Sequence, residues 1–309
     1  MSKFATVVVT YFPSDDCIEE LKKVSSYSDI LIVIDNTPVE TSVNLPKLEN
    51  ITLHKLNENY GLATALNIGV QLAGKTHCEK IFLLDQDSRP SKNFFIEMLK
   101  FKAEIDALIP NCALYVPNFY DRNSKTYAKF PSLTPFTLKH STCDTMQSGP
   151  CSKATMTITS GTLINYHKYL KIGPLRDDYF IDFIDNEYCL RVYRLGYRLA
   201  INCDVTLNHA IGARTVHKFM GITIKPNFHS ALRRYYIARN GIRTSLAYGC
   251  YYPSYVPLIL ARMIHELLSI ILFEDSKYTK IKAIILGIYH GITGRMGKCQ
   301  VESLISNSG

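Results

Sequence analysis

The first hundred residues alternate between short apolar runs and amphipathic segments, and this alternation leaves few folds open to the chain. The apolar runs lie at Ala5–Tyr11, Ile30–Asp35, Ile51–Leu56 and Lys80–Asp85. Near-continuous apolar runs of this length are typical of strands that are buried on both faces. Segments with helical spacing separate them, at Asp16–Tyr27, Gly61–Ala73 and Asn93–Ile105. Strands that alternate with helices predict right-handed βαβ units, an α/β fold and a mostly parallel sheet.

The middle of the chain has a different pattern. Between Pro110 and Thr162, short strand-like pieces lie among Pro, Ser and Asn residues, which predicts added antiparallel strands and loops. Helical spacing returns at Asp182–Leu195, and a strand pattern follows at Arg198–Leu207. We therefore divide the chain into a main domain at residues 1–245 and a C-terminal helical appendage at residues 246–309.

The appendage is strongly apolar. The spacing predicts helices at Pro257–Phe273 and Lys280–Gly291. Arg262, His265 and Glu266 interrupt the first of these, so neither has the roughly 20 uninterrupted apolar residues of a membrane-spanning helix. Two interpretations stay open: helices that lie in a membrane interface, or helices that pack on the protein itself or across a homodimer.

Composition and charge narrow the function classes. The 309 residues are 47% hydrophobic and 20% charged, as in soluble globular proteins, and the formal net charge is +8. No Arg/Gly or Lys-rich block concentrates this charge. It therefore fits an anionic small molecule or an anionic membrane face, and we expect no nucleic-acid partner.

The cysteines and the N-terminus bear on the location of the protein. The nine cysteines are scattered, odd in number and contain no Cys-x-x-Cys, so we expect neither a zinc site nor a disulfide framework. The N-terminal apolar run is too short for a signal peptide and continues directly into a strand pattern. We therefore expect a cytoplasmic protein in a reducing compartment.

The sharpest local feature is the segment Leu84-Asp85-Gln86-Asp87-Ser88. Two carboxylates follow a buried strand at its C-terminal end, where open α/β sheets place their ligands. Residues i and i+2 of an extended chain point to the same side, so Asp85 and Asp87 can converge on one target. Paired carboxylates suit Mg²⁺ or Mn²⁺, which also takes oxygens from a substrate diphosphate. A polar turn that ends a strand is the alternative.

A second group of carboxylates lies at the start of a predicted helix. If the segment is helical, Asp178, Asp182 and Asp185 fall on one face at positions i, i+4 and i+7. Like charges on one face cost stability unless a cation or a substrate uses them, so one of these aspartates is a candidate catalytic residue. Glu187 lies on another face and is predicted to pair with Arg191. A simple preference for acids in the first helical turn is the alternative.

Other candidates are weaker when they are taken singly. Asp35 ends the second strand as Asp85 ends the fourth, where it can accept a hydrogen bond from a nucleobase or cap a turn. His209 follows a strand, and a lone histidine is more often a core or surface residue than a ligand. Arg233 and Arg234 lie beside two tyrosines, either as an anion clamp for phosphate or on a solvated helix.

These pieces together resemble a known enzyme family. The segments that carry the resemblance are VVVTYFP, VIDNTP, NENYGLATALNIG, FLLDQDS, TITSGTLIN, FIDFIDNEYCLRVYRLGY, NHAIG and RRYYIARN. In this order the chain resembles the family-2 glycosyltransferases, and more narrowly the bacterial rhamnosyltransferases of surface-polysaccharide assembly. The resemblance implies a GT-A fold, a nucleotide-diphosphate sugar as the donor, and inversion of the anomeric centre in a single displacement.

The resemblance also implies roles for residues at the nucleotide. Thr10, Tyr11 and Asp35 match positions that hold the base and the ribose. Asn59 and Gly61 match the loop that closes over the nucleotide. All five are therefore expected to bind substrate.

Further matches concern the metal and the catalytic base. Asp85 and Asp87 match an Asp-x-Asp motif that binds Mn²⁺ or Mg²⁺, with Asp87 as the direct ligand and Asp85 also at the substrate. His209 matches a histidine that often completes the metal site, which reverses the expectation from the residue alone. Asp185 matches the general base, and Asp182 beside it is assigned to substrate binding.

The chemistry of such a transfer agrees with these residue types. An acceptor hydroxyl is a weak nucleophile, so a carboxylate that takes its proton accelerates transfer, and a divalent cation neutralises the leaving diphosphate. A single displacement needs no nucleophile from the enzyme. The chain has no Trp, and therefore no Gln-x-x-Arg-Trp motif of processive synthases, so addition of one sugar is predicted rather than polymerisation.

The resemblance thus implies transfer of L-rhamnose from dTDP-rhamnose to a polyprenyl-diphosphate-linked saccharide at the inner face of the cell membrane. The alternatives are a UDP-hexose donor, a non-catalytic membrane-peripheral sugar-binding subunit and a sugar nucleotidyltransferase. The presence of Asp85, Asp87 and Asp185 together disfavours the non-catalytic subunit, because a binding protein needs no base. The segment YFPSDD lacks the Gly-rich loop with Arg and Lys that a sugar nucleotidyltransferase requires.

Overall fold

The structure is a computed structural model that describes residues 3–38, 50–209, 217–219, 222–224 and 226–300, with the backbone alone at 209, 217–219 and 222–224. Within these ranges the strands are β1 (Phe4–Thr10), β2 (Ile30–Asp35), β3 (Ile51–Lys55), β4 (Lys80–Asp85), β5 (Cys112–Asp121), β6 (Thr126–Tyr127), β7 (Phe130–Leu133), β8 (Leu138–Ser141), β9 (Gly149–Pro150), β10 (Ala154–Thr155), β11 (Leu163–Asn165), β12 (Arg198–His209), β13 (His217–Phe219) and β14 (Ile222–Ile224). The helices are α1 (Asp15–Tyr27), α2 (Leu62–Lys75), α3 (Lys92–Leu108), α4 (Tyr166–Ile172), α5 (Ile184–Arg194), α6 (Ala231–Tyr248), α7 (Tyr255–Phe273) and α8 (Lys277–Thr293).

The large sheet is mixed, with parallel strands at its centre. Its order is β3-β2-β1-β4-β11-β5-β12-β9, and β6 pairs with β5 outside this path. Strands β1 to β4 are parallel, β11 runs antiparallel between β4 and β5, and β12 is parallel to β5. A smaller antiparallel sheet has the order β10-β7-β8. The predicted α/β class with a mostly parallel sheet is confirmed, as are antiparallel strands in the middle of the chain.

Two apolar layers cover the large sheet. Helices α2, α4 and α5 pack against one face, where Leu66 meets strand residues such as Leu83. Helices α1 and α3 cover the other face, where Phe95 lies edge-on against Phe82 with ring centroids 4.9 Å apart. Because both faces are covered, strands such as β2 are apolar along nearly their whole length, and the alternation of strand and helix is visible in the sequence.

The C-terminal helices pack closely on α6. A Cβ atom at Gly287 of α8 would lie 2.4 Å from the carbonyl oxygen of Tyr235, and one at Gly291 would lie 2.6 Å from that of Arg239. Glycine at both positions therefore lets the two helix backbones approach each other. Tyr248, in the last turn of α6, belongs to the core that covers the sheet. The predicted boundary after residue 245 falls inside α6, and the division of the chain into two units stays a prediction.

The outer faces of α7 and α8 carry exposed apolar side chains. On α7 they recur every four residues, at Val256, Leu260, Ile264 and Leu268. Its opposite face is buried against the protein. Among the residues that the structure describes, α7 is the one helix long and apolar enough to cross a membrane, by length and composition alone.

One expectation about the cysteines is wrong. A disulfide bond joins Cys143 to Cys203 of β12, with the two Cα atoms 5.3 Å apart. The sequence gives no spacing signal for this pair, since the two residues are 60 positions apart and meet only when the segment before β9 folds back on β12. Five of the remaining cysteines are buried, as expected of small core residues.

Candidate active site

The carboxyl ends of three parallel strands place polar residues side by side. In the register of the sheet, Thr10 pairs with Asp35, and Val9, one residue earlier on β1, pairs with Asp85. Neighbouring strands lie about 4.8 Å apart, so these ends form one edge. The structure therefore brings together residues predicted to bind the nucleotide and residues predicted to bind the metal.

Asp35 is buried and held in one orientation. Its Oδ1 atom accepts hydrogen bonds from the Thr37 hydroxyl at 2.6 Å, from the Thr37 N–H at 3.2 Å and from the Thr10 hydroxyl at 3.3 Å. The hydrogen bonds described for this carboxylate all use Oδ1. Contact of this carboxylate with a nucleobase N–H stays a prediction.

Gln86 joins the Asp-x-Asp segment to the end of β1, a role that the sequence analysis missed. Its Oε1 accepts a hydrogen bond from the Tyr11 N–H at 2.8 Å, and its Nε2 donates to the Tyr11 carbonyl at 3.2 Å. The side chain thus binds the backbone of Tyr11 as a neighbouring strand would. The predicted nucleotide residue and the predicted metal motif are consequently held at a fixed separation. The only signal in the sequence is an amide side chain between the two aspartates.

The turn after β4 is fixed from the opposite side by two serines. The Asp85 N–H donates to Ser160 Oγ at 3.2 Å, and the Ser88 N–H donates to the Asp85 carbonyl at 3.1 Å. The hydroxyls of Ser88 and Ser160, both buried, lie 2.5 Å apart. Asp85 and Asp87 are half-buried on this turn, which presents them at the sheet edge.

The described residues do not assemble the predicted metal site. In the described portion of the chain, no group of three or more His, Cys, Asp or Glu side chains could hold a metal ion. His209 is the last residue of β12 and pairs in register with Asp121 of β5. Its side chain lies outside the described residues, so its role as a ligand stays a prediction.

The loop before α2 is held to the end of β2. Asn59 Oδ1 accepts hydrogen bonds from Asn36 Nδ2 and from the Gly61 N–H, both at 3.0 Å, and Asn36 Oδ1 accepts from the Tyr60 N–H at 2.9 Å. Gly61 has φ +88°, and a Cβ atom there would lie 2.6 Å from the carbonyl oxygen of Phe180. Both facts require glycine. Asn59 and Gly61 therefore lie in a loop that is tied to the end of β2, and their role at the nucleotide stays a prediction.

The helix with the second carboxylate group begins later than predicted. Helix α5 starts at Ile184, Asp178 lies in a 3₁₀ turn, and Asp182 lies in a loop with φ +63°. The prediction that Asp178, Asp182 and Asp185 share one helix face is therefore wrong. Only Asp185 is helical.

Residues of α6 hold this segment out of the helix. The Asn240 side chain donates from Nδ2 to the carbonyls of Tyr179, Ile181 and Asp182 at 2.9, 2.8 and 3.0 Å. Arg239, fully buried, donates to the Tyr179 carbonyl at 3.0 Å. These side chains satisfy backbone oxygens that a helix would otherwise bond internally, which stabilises the loop conformation. Such long-range capture leaves no periodic signal in the sequence.

Asp182 binds Arg233 at the mouth of the site. The guanidinium donates from Nε to Oδ2 and from Nη2 to Oδ1, each at 3.1 Å, and 44% of the Arg233 side chain is exposed. Burial opposes the charge, yet the carboxylates of Asp182 and Asp85 raise the pKa of Arg233 above its usual value. Arg233 therefore lies within the electrostatic reach of Asp85, as its predicted contact with a donor phosphate requires.

Asp185, in the first turn of α5, has the properties of a general base. It lies against the same face of the sheet as Leu83, two residues before Asp85, and both line a small void. Its pKa is raised from 3.8 to about 6, chiefly by burial; the Asn186 N–H, which donates to Oδ1 at 2.8 Å, opposes this shift, and the charges of Asp182 and Asp85 contribute to it. A carboxylate with a pKa close to neutral is well matched to proton transfer.

Arg262 of α7 also reaches this region. Its guanidinium lies over the ring of Phe183, 5.1 Å from the centroid, at the start of α5. Its charge lowers the pKa of Asp185, against the larger effect of burial. In the sequence Arg262 is merely a break in an apolar helix, so its place beside the candidate base is a finding of the structure.

This contact leads to a prediction for pH dependence. Since Asp185 must be ionised to accept a proton, turnover of the wild type should rise about tenfold per pH unit below pH 6 and level off above it. Arg262→Met removes a charge that favours the ionised form, so this acidic limb should move to higher pH. Pre-steady-state transfer rates between pH 4.5 and 8 measure the limb. Lys171→Met, an exposed change on α4, is the control, and identical limbs in all three proteins would contradict the assignment.

Arg234 does not serve the site as predicted. Only 1% of its side chain is exposed, and it pairs with the buried carboxylates of Glu266 and Glu274, at 2.5 Å in the latter case. Glu274 also accepts a hydrogen bond from Lys280 Nζ at 2.8 Å. The expectation that Arg234 binds substrate is wrong, because adjacent residues of a helix face different directions and only Arg233 faces the site. Arg234 instead ties α6 to α7 and to the α7–α8 connection.

Removal of this arginine should destabilise the fold. Arg234→Met leaves the carboxylates of Glu266 and Glu274 buried without their main cation, which typically costs about 3–5 kcal/mol. We expect the midpoint of urea unfolding to fall accordingly. Arg194→Met removes an exposed guanidinium and should shift the midpoint little. A midpoint of Arg234→Met equal to that of the wild type would show that the pair contributes nothing.

Glu187 has the structural role that was predicted. It pairs with Arg191 at 2.8 Å, one turn later on α5, and its other oxygen accepts a hydrogen bond from the Tyr248 hydroxyl at 2.6 Å. Only 2% of the residue is exposed. It anchors α5, and with it Asp185, to the end of α6.

Comparison with known proteins decides the family. The model of glycosyl transferase family 2 matches residues 14–165. A protein of Shigella flexneri, dTDP-rhamnosyl transferase RfbF, is 33% identical in an alignment 307 residues long that covers 96% of this chain and 97% of that protein. The chain belongs to glycosyl transferase family 2. The alignment with this relative covers both the candidate active site and the C-terminal helices of the glycosyltransferase.

Solved structures of TarS from S. aureus have the same fold as this family 2 glycosyltransferase. TarS 1–349 aligns with a TM-score of 0.57 at 12% identity and covers 95% of this chain and 82% of its own. Another TarS structure aligns with a TM-score of 0.53 at 13% identity and covers 98% and 54%. At such identities the likeness concerns the fold alone. The GT-A fold with C-terminal helices is confirmed.

Proposed function

We propose that this family 2 glycosyltransferase transfers L-rhamnose from dTDP-rhamnose, with inversion, onto a hydroxyl of a polyprenyl-diphosphate-linked surface-polysaccharide precursor. The observation that carries the donor is 33% identity over nearly all of both chains to a protein named as a dTDP-rhamnosyl transferase. The arrangement of carboxylates supports the reaction type. Asp35 lies at the proposed nucleotide side of the sheet edge, Asp85 and Asp87 lie at the end of β4, and Asp185 lies apart from them on α5.

The donor nucleotide is proposed to lie over the ends of β1 and β2. Asp35 would accept a hydrogen bond from the base through Oδ2, and the Thr10 hydroxyl orients the carboxylate by donating to Oδ1. Tyr11, 44% exposed, offers an aromatic face beside it. Asn59 and Gly61 would close the loop over the nucleotide.

Asp85 and Asp87 would hold the divalent cation, Mn²⁺ or Mg²⁺. Two carboxylates on a fixed turn fit these cations, which accept the rest of their oxygen ligands from water and from a substrate diphosphate. His209 is proposed to complete the set. When bound, the cation neutralises the charge that develops on the leaving diphosphate.

Arg233 is proposed to bind the donor diphosphate beside these carboxylates. Its guanidinium is partly exposed and already oriented by Asp182 at 3.1 Å. The remaining N–H groups suit phosphate oxygens, because guanidinium and phosphate match in geometry. Asp182 would then act on the substrate indirectly, by positioning Arg233.

Asp185 is proposed as the general base. Its carboxylate takes the proton of the acceptor hydroxyl, the hydroxyl oxygen attacks the anomeric carbon, and the bond from that carbon to the diphosphate oxygen breaks. The pKa of about 6 keeps Asp185 ionised at neutral pH while it remains basic enough to assist the transfer. No covalent sugar–enzyme intermediate forms in this scheme.

The donor can be tested by saturation-transfer NMR in the presence of Mn²⁺. dTDP-rhamnose should give strong transfer to its nucleotide and sugar protons, and UDP-hexoses should give weaker transfer. A stronger signal from a UDP-hexose would show that this nucleotide sugar, and not dTDP-rhamnose, is the donor. Binding without consumption of any nucleotide sugar when acceptor is supplied would favour the non-catalytic sugar-binding subunit.

We further propose that α7 and α8 attach the protein to the cytoplasmic face of the membrane. The exposed apolar row on α7 continues on α8, where Ile285, Tyr289 and Ile292 are 52–62% exposed. Lys277 and Lys282 are exposed nearby. Apolar burial, with about 1 kcal/mol per basic residue near anionic lipid, is sufficient for reversible attachment. The buried opposite face of α7 favours a helix that lies on the membrane rather than across it.

Co-sedimentation with anionic liposomes tests this attachment. Wild-type protein should pellet with the vesicles at low salt, and the double variant Ile264→Asp, Leu268→Asp should stay in the supernatant. Leu170→Asp changes an exposed apolar residue of α4 and should pellet like the wild type. A wild type that stays in the supernatant and elutes as a dimer would show instead that these faces pair in a homodimer.

A further inference from the structure

The proposed mechanism leaves one large recess of the protein unused. A cavity of about 640 Å³ lies between β5, β6, β12 and the segment before β9. This volume falls in the range of about 300–1,000 Å³ that is usual for small-molecule sites. Its polar and aromatic lining includes Asn118, Tyr127, Asp144, Gln147, Asp204 and Thr206.

The register of the sheet places this cavity relative to Asp85. Leu163 of β11 pairs with Phe82 of β4 and with Tyr115 of β5, so Asp85 and Asn118, each three residues further along, lie at one level of the sheet. They are two strands apart, which corresponds to about 10 Å. Strands β1 and β2 lie on the opposite side of β4. The cavity is therefore on the side of Asp85 away from the nucleotide edge.

The wall of the cavity that β12 forms is held in place by specific contacts. A bulge at residues 203–205 shifts the register of β12 against β5. Cys143 lies beside Cys203 of this bulge, with the two Cα atoms 5.3 Å apart, and the Cys203 N–H donates to Ser148 Oγ at 2.8 Å. The Ser148 hydroxyl in turn donates to Asp204 Oδ2 at 2.8 Å. Bulges of this kind often re-aim side chains toward a ligand.

Asn118, on the cavity lining, carries a polar atom without a partner. The residue is 5% exposed, and its Oδ1 accepts no hydrogen bond from the described residues. A buried acceptor without a partner costs free energy, and native proteins rarely leave one unless a ligand or water satisfies it. A hydroxyl donor of a bound molecule would remove this cost.

The chemistry of the lining selects the ligand class. Among the residues that the structure describes, the lining contains the carboxylates of Asp144 and Asp204 and no Lys or Arg, which disfavours a phosphate or a nucleotide diphosphate. Carboxylate and amide oxygens accept hydrogen bonds from hydroxyl groups. Tyr127, 56% exposed, offers an apolar ring face to the C–H groups of a sugar.

We propose that this cavity is a subsite for uncharged sugars of the acceptor, beyond the residue that is glycosylated. The inference rests on the proposed glycosyl transfer and adds to it: the acceptor is an oligosaccharide whose neutral residues are read between β5, β6 and the β12 bulge. The subsite is separate from the nucleotide edge, so donor and acceptor saccharide bind at the same time.

The test uses neutral oligosaccharides released by mild acid from the surface polysaccharide of the producing organism. They should show saturation transfer with the wild type, and excess dTDP should not displace them. Tyr127→Ala and Gln147→Ala, both at exposed positions, should weaken binding about tenfold, the usual scale for loss of one aromatic or polar anchor. Tyr278→Ala, at a 78% exposed tyrosine of α8, is the matched control and should bind normally.

Several results would overturn the subsite. These are displacement of the oligosaccharide by dTDP, equal binding by Tyr127→Ala and the wild type, or preference for a phosphorylated over a neutral saccharide. Slow hydrolysis of the donor without acceptor is measured in parallel in each variant. Unchanged hydrolysis with unchanged oligosaccharide binding refutes the subsite alone, whereas absence of donor binding and hydrolysis refutes the proposed function.

Discussion

Replacement of Asp185 by asparagine is expected to lower turnover by about 10²–10⁴-fold, the usual scale of general base catalysis. The amide keeps the shape and can accept the Asn186 N–H, but it cannot take a proton from the acceptor hydroxyl. Helix α5 is anchored to α6 by the hydrogen bond from the Tyr248 hydroxyl to Glu187, so the fold should persist. Steady-state transfer to the natural acceptor measures the effect.

Asp182→Asn is the matched control for this variant. It lies three residues earlier, outside the helix, and contacts Arg233. It should weaken donor binding and lower turnover far less than Asp185→Asn does. Donor binding by Asp185→Asn should equal that of the wild type. If Asp182→Asn is inactive and Asp185→Asn transfers normally, the base has been assigned to the wrong aspartate.

Asp87→Ala is the second variant with a large expected effect. Removal of the proposed direct ligand leaves one carboxylate, and the charge that develops on the leaving diphosphate loses its counter-charge. Loss of such electrostatic stabilisation typically costs about 10²–10³-fold in turnover. Transfer should also cease in excess EDTA and return with Mn²⁺ or Mg²⁺.

Asp275→Ala, at an exposed position before α8, is the control for a changed surface charge. It should transfer at the wild-type rate. Binding of Mn²⁺ measured by its paramagnetic broadening of donor resonances provides a readout independent of turnover. Full activity of Asp87→Ala, or of the wild type in EDTA, would show that transfer needs no divalent cation.

The fold of the first hundred residues was predictable because its signals are local. Strands β2 and β4 start and end where the sequence predicts, and the third helix, predicted at Asn93–Ile105, extends to Lys92–Leu108. Burial on both faces makes every residue of such a strand apolar, so one sequence suffices to find it. The pairing of β5 with β12 is different, because about 80 residues separate them and no periodic pattern records the partner.

Candidate site residues were predictable where strand ends determine their position. Asp35 and Asp85 lie at one edge because parallel strands end there together, which the pattern itself implies, whereas Thr10 was assigned from the family resemblance. Asp182 was placed wrongly on a helix, since Asn240, 58 positions away, captures its carbonyl. Arg234 was misassigned because the buried glutamates that hold it lie on another helix. Contacts of this kind depend on tertiary packing, which overrides local preference.

The C-terminal helices have two faces with different surroundings. On α7 the outer face is apolar and exposed, whereas the inner side carries Glu266, paired with Arg234, and Arg262 beside Phe183. One helix therefore connects the proposed membrane surface with the segment that contains Asp185. The sequence showed the apolar pattern, but the partners of its charged residues became evident only from the packing of α6, α7 and α8.

The central claim, a single displacement assisted by Asp185, is tested most directly by the anomeric configuration of the product. The glycoside formed from dTDP-rhamnose and the acceptor is isolated, and the one-bond coupling between its anomeric carbon and proton is measured by NMR. The account predicts a configuration opposite to that of the donor. Retention of the donor configuration would contradict it, because retention requires a second displacement or a front-side attack in which Asp185 is not the base.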